Sequence, residues 1–235
     1  MAVGFDAKMT GGNGGGGTYQ YSSVVNTAGS STGMTVGVGA TLLVAILDLG
    51  GNNTTPGALA CTWNGVSMNL ACSIYTTTSI GAGAALFTLV NPASGNKTLA
   101  ASWTESLGCQ FNLSSLSFTG TDTVTGYNSA DNVTGIATSG NQSIAVNTDA
   151  NGATVATINC YSSGLTVNSL TQIFAGSPTN DNGAASYGVG GSGTNTHTFN
   201  VTGATAEAWA GIHIIAPNVS LSPPVINRRN VLYFI

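Results

Sequence analysis

The feature that most limits the fold of this chain is a succession of short strand-like runs separated by clusters of Gly, Asn and Ser. TLLVAILDL (41–49) is apolar on both alternations, which predicts a central strand covered on both faces. Other runs, such as ATVATINCY and AEAWAGIHIIAP, have similar lengths, and no stretch keeps a helical apolar period. Roughly ten short strands at this spacing predict an all-β protein, an antiparallel β-sandwich of jelly-roll or immunoglobulin-like type.

The clearest local signal is Asn64-Gly65 in CTWNGVSMNL (61–70). Asn and Gly tolerate the positive φ angles of a type I′ turn, so the pair predicts a two-residue β-hairpin. The predicted register pairs Trp63 with Val66, Cys61 with Met68 and Leu59 with Leu70. Cross-strand partners share a face, so the predicted core residues of this hairpin are Leu59, Cys61, Trp63, Val66, Met68 and Leu70.

Two further local predictions follow from the apolar pattern. AALFTLV (84–90) and TLAASW (98–103) predict a second hairpin with a longer loop, NPASGNK. In QFNLSSLSF (110–118) the apolar residues change phase halfway along, which predicts a β-bulge near Ser114-Ser115.

Three segments are predicted along the chain. Residues 1–35 contain GGNGGGG (11–17) and predict a flexible Gly-rich segment or a first strand. Residues 36–216 show no break in composition and predict one β-sandwich domain. Residues 217–235 predict an extended C-terminal arm, because Pro223-Pro224 forms a stiff spacer that cannot continue a sheet.

The low charge of the chain and the shortness of its apolar runs exclude two classes of partner. Charged residues make up 5% of the sequence and the net charge is −4, whereas soluble domains typically contain about 25% charged residues. Four Lys and Arg residues are too few to neutralise phosphates, so no nucleic-acid partner is expected. The best apolar run (36–47) has about 12 residues, short of the ~20 of a spanning helix, so no membrane partner is expected.

The N-terminal sequence bears on how the protein would reach the outside of a cell. A surface of Thr, Ser, Asn and Gly is typical of an extracellular protein, yet MAVGFDAKMT has no apolar segment of the signal-peptide kind. Release by cell lysis inside an assembled particle is the favoured explanation. Removal of a signal peptide from the sequence is the alternative.

Motifs that could carry chemistry are better explained by composition. GSSTG (29–33) matches a nucleophile elbow around Ser31, and GNGGGG (12–17) and GVGGSG (188–193) match GxGxxG, but none has the required strand and helix around it. His213 is predicted on the outer face of the last strand, with a Glu207–His213 pair as the alternative. No His/Cys spacing indicates zinc. We therefore expect a protein that is not an enzyme and has no catalytic residue, no metal and no cofactor.

Some alternatives stay open at this point. Scattered carboxylates could form a glycosidase pair, and TNDNG (179–183) could bind calcium, although an Asx turn is favoured. The cysteines are expected to be buried thiols, with two disulfides as the alternative; they are Cys61, Cys72, Cys109 and Cys160.

The C-terminal arm ends in a run of apolar residues that would promote aggregation if exposed. Burying this run could stabilise a complex by on the order of 5 kcal/mol before ordering costs. We predict that the arm binds a neighbouring subunit, with folding back onto its own sandwich as the alternative. The predicted partner-binding residues are Arg228, Arg229, Val231, Leu232, Tyr233, Phe234 and Ile235.

The order of CTWNGVSM, LFTLVNPASGNKTL, SLSFTG and AWAGIHIIAP resembles a β-sandwich module of virion proteins of tailed bacteriophages, over most of residues 40–217. The resemblance implies a virion structural protein, with a capsid decoration (cement) protein first. Implied partners are other virion proteins, the major capsid protein or tail subunits, and further copies in a homo-oligomer such as a trimer. The implied location is the virion, an extracellular particle assembled in the bacterial host cytoplasm.

A carbohydrate-binding or receptor-binding fibre or tail module is the alternative function. Such a site needs aromatic side chains at the surface beside amide and acid groups. The candidates are Trp103, Tyr127, Tyr161 and Tyr187. A jelly-roll hydrolase is the least favoured reading.

Overall fold

The computed structural model describes residues 2–8, 20–22, 26–31, 35–50, 55–77, 81–104, 109–176, 181–191 and 193–217. Within these ranges the chain forms strands, turns and no helix. The strands are β1 (Gly4–Lys8), β2 (Gln20–Ser22), β3 (Asn26–Ser31), β4 (Thr35–Val36), β5 (Leu42–Gly50), β6 (Gly57–Trp63), β7 (Val66–Ser67), β8 (Asn69–Thr76), β9 (Ala82–Val90), β10 (Gly95–Asn96), β11 (Leu99–Thr104), β12 (Cys109–Thr119), β13 (Tyr127–Ala137), β14 (Gln142–Thr148), β15 (Ala153–Tyr161), β16 (Gly164–Val167), β17 (Thr171–Gly176), β18 (Asp181–Val189), β19 (Gly193–Thr202) and β20 (Ala206–Ile214).

The described strands form five antiparallel sheets. Sheet A has the order β1-β12-β5-β9-β8, with β2 also paired to β12. Sheet B has the order β3-β11-β6-β7, and sheet C consists of β10 and β4. Sheet D has the order β13-β20-β15-β18-β17, and sheet E has the order β14-β19-β16. The predicted all-β, sandwich-like fold is confirmed.

Apolar clusters place four of these sheets in the stacking order B, A, D, E. Trp103 of sheet B and Phe87 of sheet A belong to one buried cluster. Ile46 of sheet A and Ile212 of sheet D belong to a second cluster. A third cluster joins sheets D and E through residues such as Phe199 of β19. Sheets A and D are therefore inner layers, each with a core on both faces.

Strand β5 shows why sheet A lies inside the stack. All nine of its residues are buried. Leu43 and Leu47 point into the core shared with sheet B, whereas Leu42 and Ile46 point into the core shared with sheet D. A strand that is apolar on both alternations has no face suited to water, so it occupies the interior. The predicted central strand is confirmed.

Strand β12 lies beside β5 and contains no bulge where the sequence predicted one. Its pairing with β5 runs without a register shift from Gln110 opposite Gly50 to Phe118 opposite Leu42, so the prediction of a bulge near Ser114-Ser115 is wrong. Phe111 contributes to the core with sheet B, and Phe118 contributes to the core with sheet D. The apolar phase changes because the large side chains in the first half of β12 face sheet B, whereas those in the second half face sheet D.

The Asn64-Gly65 turn forms as predicted. Asn64 and Gly65 have φ angles of 51° and 80°, and Trp63 pairs with Val66. The hairpin then ends, because β8 begins at Asn69 and joins sheet A instead of sheet B. There Leu70 pairs with Phe87, so the predicted pairing of Leu70 with Leu59 is wrong.

The predicted core residues of this hairpin divide into two groups. Cys61, Trp63 and Met68 are buried, and Leu59 packs, partly buried, against the same cluster. Val66 and Leu70 are 53% and 43% exposed, so their prediction as core residues is wrong. For Leu70 the shared-face argument fails because the chain leaves sheet B before this position. Val66 lies on β7, a two-residue strand at the edge of sheet B, where it is open to solvent.

The second predicted hairpin does not form. Strand β9 pairs with β5 and β8 in sheet A, whereas β11 pairs with β3 and β6 in sheet B. The connection between them crosses from one layer to the next, and its strand β10 pairs with β4. The prediction is wrong because an alternating pattern specifies a strand but not the sheet that the strand joins.

The terminal segments are described in part. Within residues 1–35, β1 pairs with β12 at the edge of sheet A, and the run 11–17 lies outside the described residues. Of the predicted arm 217–235, only Pro217 is described. No helix in the described part of the chain is long and apolar enough to cross a membrane.

Candidate functional site

Asp48 carries a carboxyl group enclosed between sheets A and D. The residue is inaccessible to solvent, and the Thr157 hydroxyl on sheet D donates a hydrogen bond to its Oδ1 over 2.9 Å. Burial raises the pKa of Asp48 well above its ordinary value, although the bond from Thr157 partly opposes this shift. Asp48 therefore links two layers through Thr157 and has no access to a substrate.

His197 is enclosed in the same way between sheets D and E. Its Nδ1 lies 2.8 Å from Ser186 Oγ, and its Nε2 lies 3.0 Å from Thr154 Oγ1. Burial lowers the pKa of His197 to about 4, so the ring is neutral at pH 7. A buried Ser–His pair without access to solvent joins two sheets and is unsuited to nucleophilic catalysis.

Glu207 also points into the interface of sheets D and E. The Gln142 amide donates a hydrogen bond to its Oε2, and burial raises the pKa of the carboxyl group. The alternative of a Glu207–His213 pair is therefore not what the structure shows, because Glu207 bonds to strand β14 and His213 bonds elsewhere.

His213 lies in a cluster with two aspartates near the end of strand β20. Its Nδ1 is 2.8 Å from Asp131 Oδ2, and the Asp149 main-chain N–H donates to its Nε2 over 3.3 Å. Nε2 also lies 3.6 Å from Asp149 Oδ2, so an aspartate lies beside each ring nitrogen. Hydrogen bonds from His213 and from the Asn147 amide lower the pKa of Asp131.

The His213 cluster has a structural role in this geometry. His213 is only 5% exposed, so its prediction on an outer face is wrong. On the same face of β20, a Cβ at Gly211 would lie 2.7 Å from Val146 of sheet E. Gly152 makes room for the ring, since a Cβ there would lie 2.8 Å from Nε2. Both ring nitrogens are engaged by the chain itself, which leaves neither as a base for a substrate. Across the described ranges, no three His, Cys, Asp or Glu side chains are placed to hold a metal ion.

The sequence motifs do not gather into a site. GVGGSG joins strand β18 to strand β19 and not to a helix, so it lacks the helix N-terminus that binds phosphate. Ser31 ends strand β3. Cys61 and Cys72 carry thiols, and burial raises the pKa of each to about 12. The arm residues 228–229 and 231–235 lie outside the described part of the chain.

An apolar groove opens at the margin of sheets A and B. It has a volume of about 300 Å³ and is lined largely by aliphatic residues and one tyrosine; we call this the edge groove. Leu59 borders it from β6, Leu49 lies at its floor on β5, and Ile74 and Tyr75 border it from β8. The Tyr75 ring lies over Gly83, where a Cβ would come within 2.3 Å of the ring.

The edge groove lies between two strand margins. Strand β8 is the last strand of sheet A in the described chain. Strand β6 pairs with β11 along its length but with β7 only at Thr62 and Trp63. The earlier part of β6 therefore borders the groove without a second strand partner among the described residues. Sequence reasoning missed the groove because it forms between strands of two different sheets, an arrangement that no local pattern records.

The four aromatic candidates for a carbohydrate site differ in their exposure and contacts. Trp103 is 1% exposed, so it belongs to the core and cannot be a surface platform. Tyr187 stacks on Phe5 with ring centroids 4.7 Å apart. Tyr161 and Tyr127 are half-buried, and Tyr127 lines a depression of about 230 Å³.

Comparison of the chain with models of protein families, with curated proteins and with solved structures found no match. The edge groove, the enclosed ionisable groups and the low surface charge are the observations on which a function is proposed.

Proposed function

We propose that this protein is a non-enzymatic structural component of a virus particle that binds neighbouring subunits through apolar and main-chain contacts. Decoration, or cementing, of the capsid of a tailed bacteriophage is the first candidate. The edge groove is the observation that carries the proposal. The resemblance of the turn and core motifs to phage virion modules and the low content of charged residues support it.

The edge groove suits an extended apolar segment. Its lining is largely aliphatic and aromatic, with Thr55 and Ser73 as polar members, and a strand margin runs along each side. A peptide bound in this way adds main-chain hydrogen bonds to a strand edge and places alternate side chains in the groove. The segment 231–235 has apolar residues at every position and spans about 16 Å at ~3.3 Å per residue. We assign it, from a neighbouring copy, as the occupant.

The enclosed ionisable groups support a role without catalysis. Asp48 hydrogen-bonds Thr157, and His197 hydrogen-bonds Ser186, in each case across to the facing sheet. Both residues are inaccessible to solvent. Groups that are buried and satisfied in this way stabilise one arrangement of the layers. Their perturbed pKa values have a structural cause and do not indicate an active site.

Association through neutral surfaces has a distinctive response to salt. Apolar burial and main-chain hydrogen bonds are not screened by ions, whereas contacts between exposed charges weaken as the Debye length falls from about 30 Å at 0.01 M to about 3 Å at 1 M. We expect the assembled state to persist across that range of NaCl concentration.

The proposal is tested by measuring the mass of the assembly in solution by sedimentation velocity. The full chain is compared with a chain ending at Asn230 and with Leu59→Asp, which places a charge in the edge groove. Val124→Asp, at a site that is 84% exposed, is the matched control for the added charge. We expect an oligomer for the full chain and the control, and monomers for the other two.

Two outcomes would count against the proposal. Oligomers that survive both the removal of 231–235 and the Leu59→Asp substitution would exclude the groove as the contact. Dissociation of the full chain by moderate NaCl would show that charged contacts dominate. The position within a particle is tested separately by copy number, because a decoration protein matches the capsid lattice and a fibre or tail protein is present in few copies.

A further inference from the structure

A polar depression lies beside the first residues of strand β13, away from the edge groove. Its volume is about 230 Å³, and its lining consists of Asn69, Val124, Thr125, Tyr127 and Ser129. We call it the β13 depression. Val124 forms an exposed rim, and Tyr127 is half-buried beside it.

The lining indicates the class of ligand. It offers one amide, two aliphatic hydroxyl groups and a phenol, which together supply hydrogen-bond donors and acceptors without a charged side chain. An anionic ligand would find no cation in this lining, and a wholly apolar ligand would leave its polar groups unpaired. Hydroxyl groups beside an aromatic ring match a neutral saccharide, whose hydroxyls need polar partners and whose C–H faces can pack on a ring.

The loop that forms one wall is fixed by a single carboxylate. Asp122 Oδ1 accepts hydrogen bonds from the main-chain N–H groups of Val124 (2.9 Å) and Thr125 (2.8 Å). The Thr125 hydroxyl donates to the same oxygen over 3.2 Å, which leaves the Thr125 oxygen able to accept a bond from a ligand. These bonds to the ionised form lower the pKa of Asp122.

The ends of this loop are attached to the core. Ile215 accepts a hydrogen bond from the Asp122 N–H over 2.9 Å and donates one to the Gly126 carbonyl over 3.2 Å. Gly126 has a φ angle of 74°, and a Cβ at this position would lie 2.6 Å from Leu42 Cδ1. Only glycine fits both the backbone conformation and the close approach.

The opposite wall is held by a wide bulge in strand β13. The pairing of β13 with β20 shifts between Asn128 and Val133, and Ser129 lies in this bulge. Asp131 attaches the bulge to the His213 ring over 2.8 Å. The Asn132 amide attaches it to the Ala71 carbonyl on sheet A, also over 2.8 Å. The His213 cluster thus fixes the main chain that shapes the depression.

We propose that the β13 depression binds a single ring of a neutral saccharide. Its walls are set by hydrogen bonds within the chain, so binding requires little further ordering of the protein. Its volume lies below the roughly 300–1,000 Å³ of pockets for drug-sized ligands, which fits one sugar ring and not a long oligosaccharide. The inference goes beyond the proposed structural role and stands on the lining and its rigidity alone.

The test begins with the full chain on an array of neutral and anionic glycans. A neutral glycan that is retained is then titrated by ligand-observed NMR against Tyr127→Ala and Asn69→Ala. Tyr161→Ala is the matched control, because Tyr161 is also a half-buried tyrosine but lies far from the depression. On β20, Tyr161 pairs with Ala206 and Tyr127 pairs with Ile214. These partners are eight residues apart, or about 26 Å at ~3.3 Å per residue. Asn69 is exposed, so its substitution should leave the fold intact.

We expect retention of neutral glycans, at least tenfold weaker binding by Tyr127→Ala and Asn69→Ala, and unchanged binding by Tyr161→Ala. The absence of any neutral glycan bound at millimolar concentration would overturn the inference. So would a preference for anionic glycans, or equal binding by all variants. Assembly measured on the same samples separates this result from the proposed structural role, because neither substitution touches the edge groove.

Discussion

Replacing Ile46 with alanine tests whether sheet A supports cores on both of its faces. Ile46 is fully buried and points into the core between sheets A and D. The change removes about three methyl or methylene groups at about 0.8 kcal/mol each, and the resulting cavity raises the expected loss of unfolding free energy to about 3–4 kcal/mol. In a chain of this length that loss corresponds to a fall in Tm of about 6–16 °C.

Two matched variants make the Ile46→Ala result decisive. Leu47→Ala creates a cavity on the opposite face of the same strand, in the core between sheets A and B. Ile136→Ala changes a residue that is 53% exposed, and its expected cost is below about 1 kcal/mol. Urea unfolding with an unchanged m-value gives the three free energies. A cost for Ile46→Ala equal to that of Ile136→Ala, beside a large cost for Leu47→Ala, would refute the packing of sheet A on sheet D.

Three further predictions concern single residues. Asp48 has a raised pKa in the folded state. The stability of the wild type should therefore fall by up to about 1.4 kcal/mol per pH unit between the unfolded value of about 3.9 and the folded pKa, and stay level above it. The advantage of Asp48→Asn should then be larger at pH 8 than at pH 5 in urea unfolding, and a constant difference would contradict this. Asp131 has a lowered pKa, so its contribution to the stability of the fold is present above about pH 4 and is lost as the pH falls through the folded pKa. Asp131→Asn should therefore reduce the fall of Tm at acid pH. An unchanged fall of Tm would exclude Asp131 as its cause. Gly83→Ala forces the Tyr75 ring to move and should lower the free energy of unfolding by about 1–3 kcal/mol. Gly39→Ala is the control, because the nearest atom is 3.8 Å from the added Cβ, and it should cost less than about 0.5 kcal/mol in the same unfolding assay. Equal costs would show that the Tyr75 ring is not held over Gly83.

The sequence predicted strands better than it predicted their assignment to sheets. Strand β5 could be placed inside the fold because both of its alternations are apolar, and the Asn64-Gly65 turn could be placed because its backbone angles suit those two residues. The partner of β9 could not be deduced, since a loop of the same composition can close a hairpin or cross between layers. The order of four stacked sheets depends on long-range contacts that no local pattern records.

Strand β12 and strand β13 show two opposite errors with one cause. A phase change in β12 indicated a bulge, yet the strand is regular and changes which neighbour its apolar residues contact. Strand β13 has a wide bulge that was not predicted, because its residues carry no apolar alternation that a bulge could interrupt. The phase of the apolar residues shows which face of a strand is buried at each position. A change of phase therefore indicates a bulge only where the same sheet covers the whole strand.

The candidate site was only partly accessible from the sequence. Tyr127 was among the aromatic candidates, but Asp131 could not be recognised as a residue that fixes the β13 depression, since its partner His213 lies far along the chain. The partners of the Asp122 carboxylate are the nearby Val124 and Thr125, a local turn that the sequence analysis did not single out. The edge groove forms between strands of two different sheets, which is a property of the assembled layers. The arm residues were chosen for their apolar character, and their role as the occupant of the groove remains a prediction.

Cross-linking from the edge groove tests the central claim most directly. A photoreactive side chain in place of Ser73, an exposed residue of β8 that lines the groove, is activated in a mixture of isotopically light and heavy copies of the chain. Mass spectrometry then identifies the peptides that are joined. The account predicts cross-links between light and heavy copies that end within residues 231–235. Cross-links confined to single copies, or joined to any other segment, would contradict it.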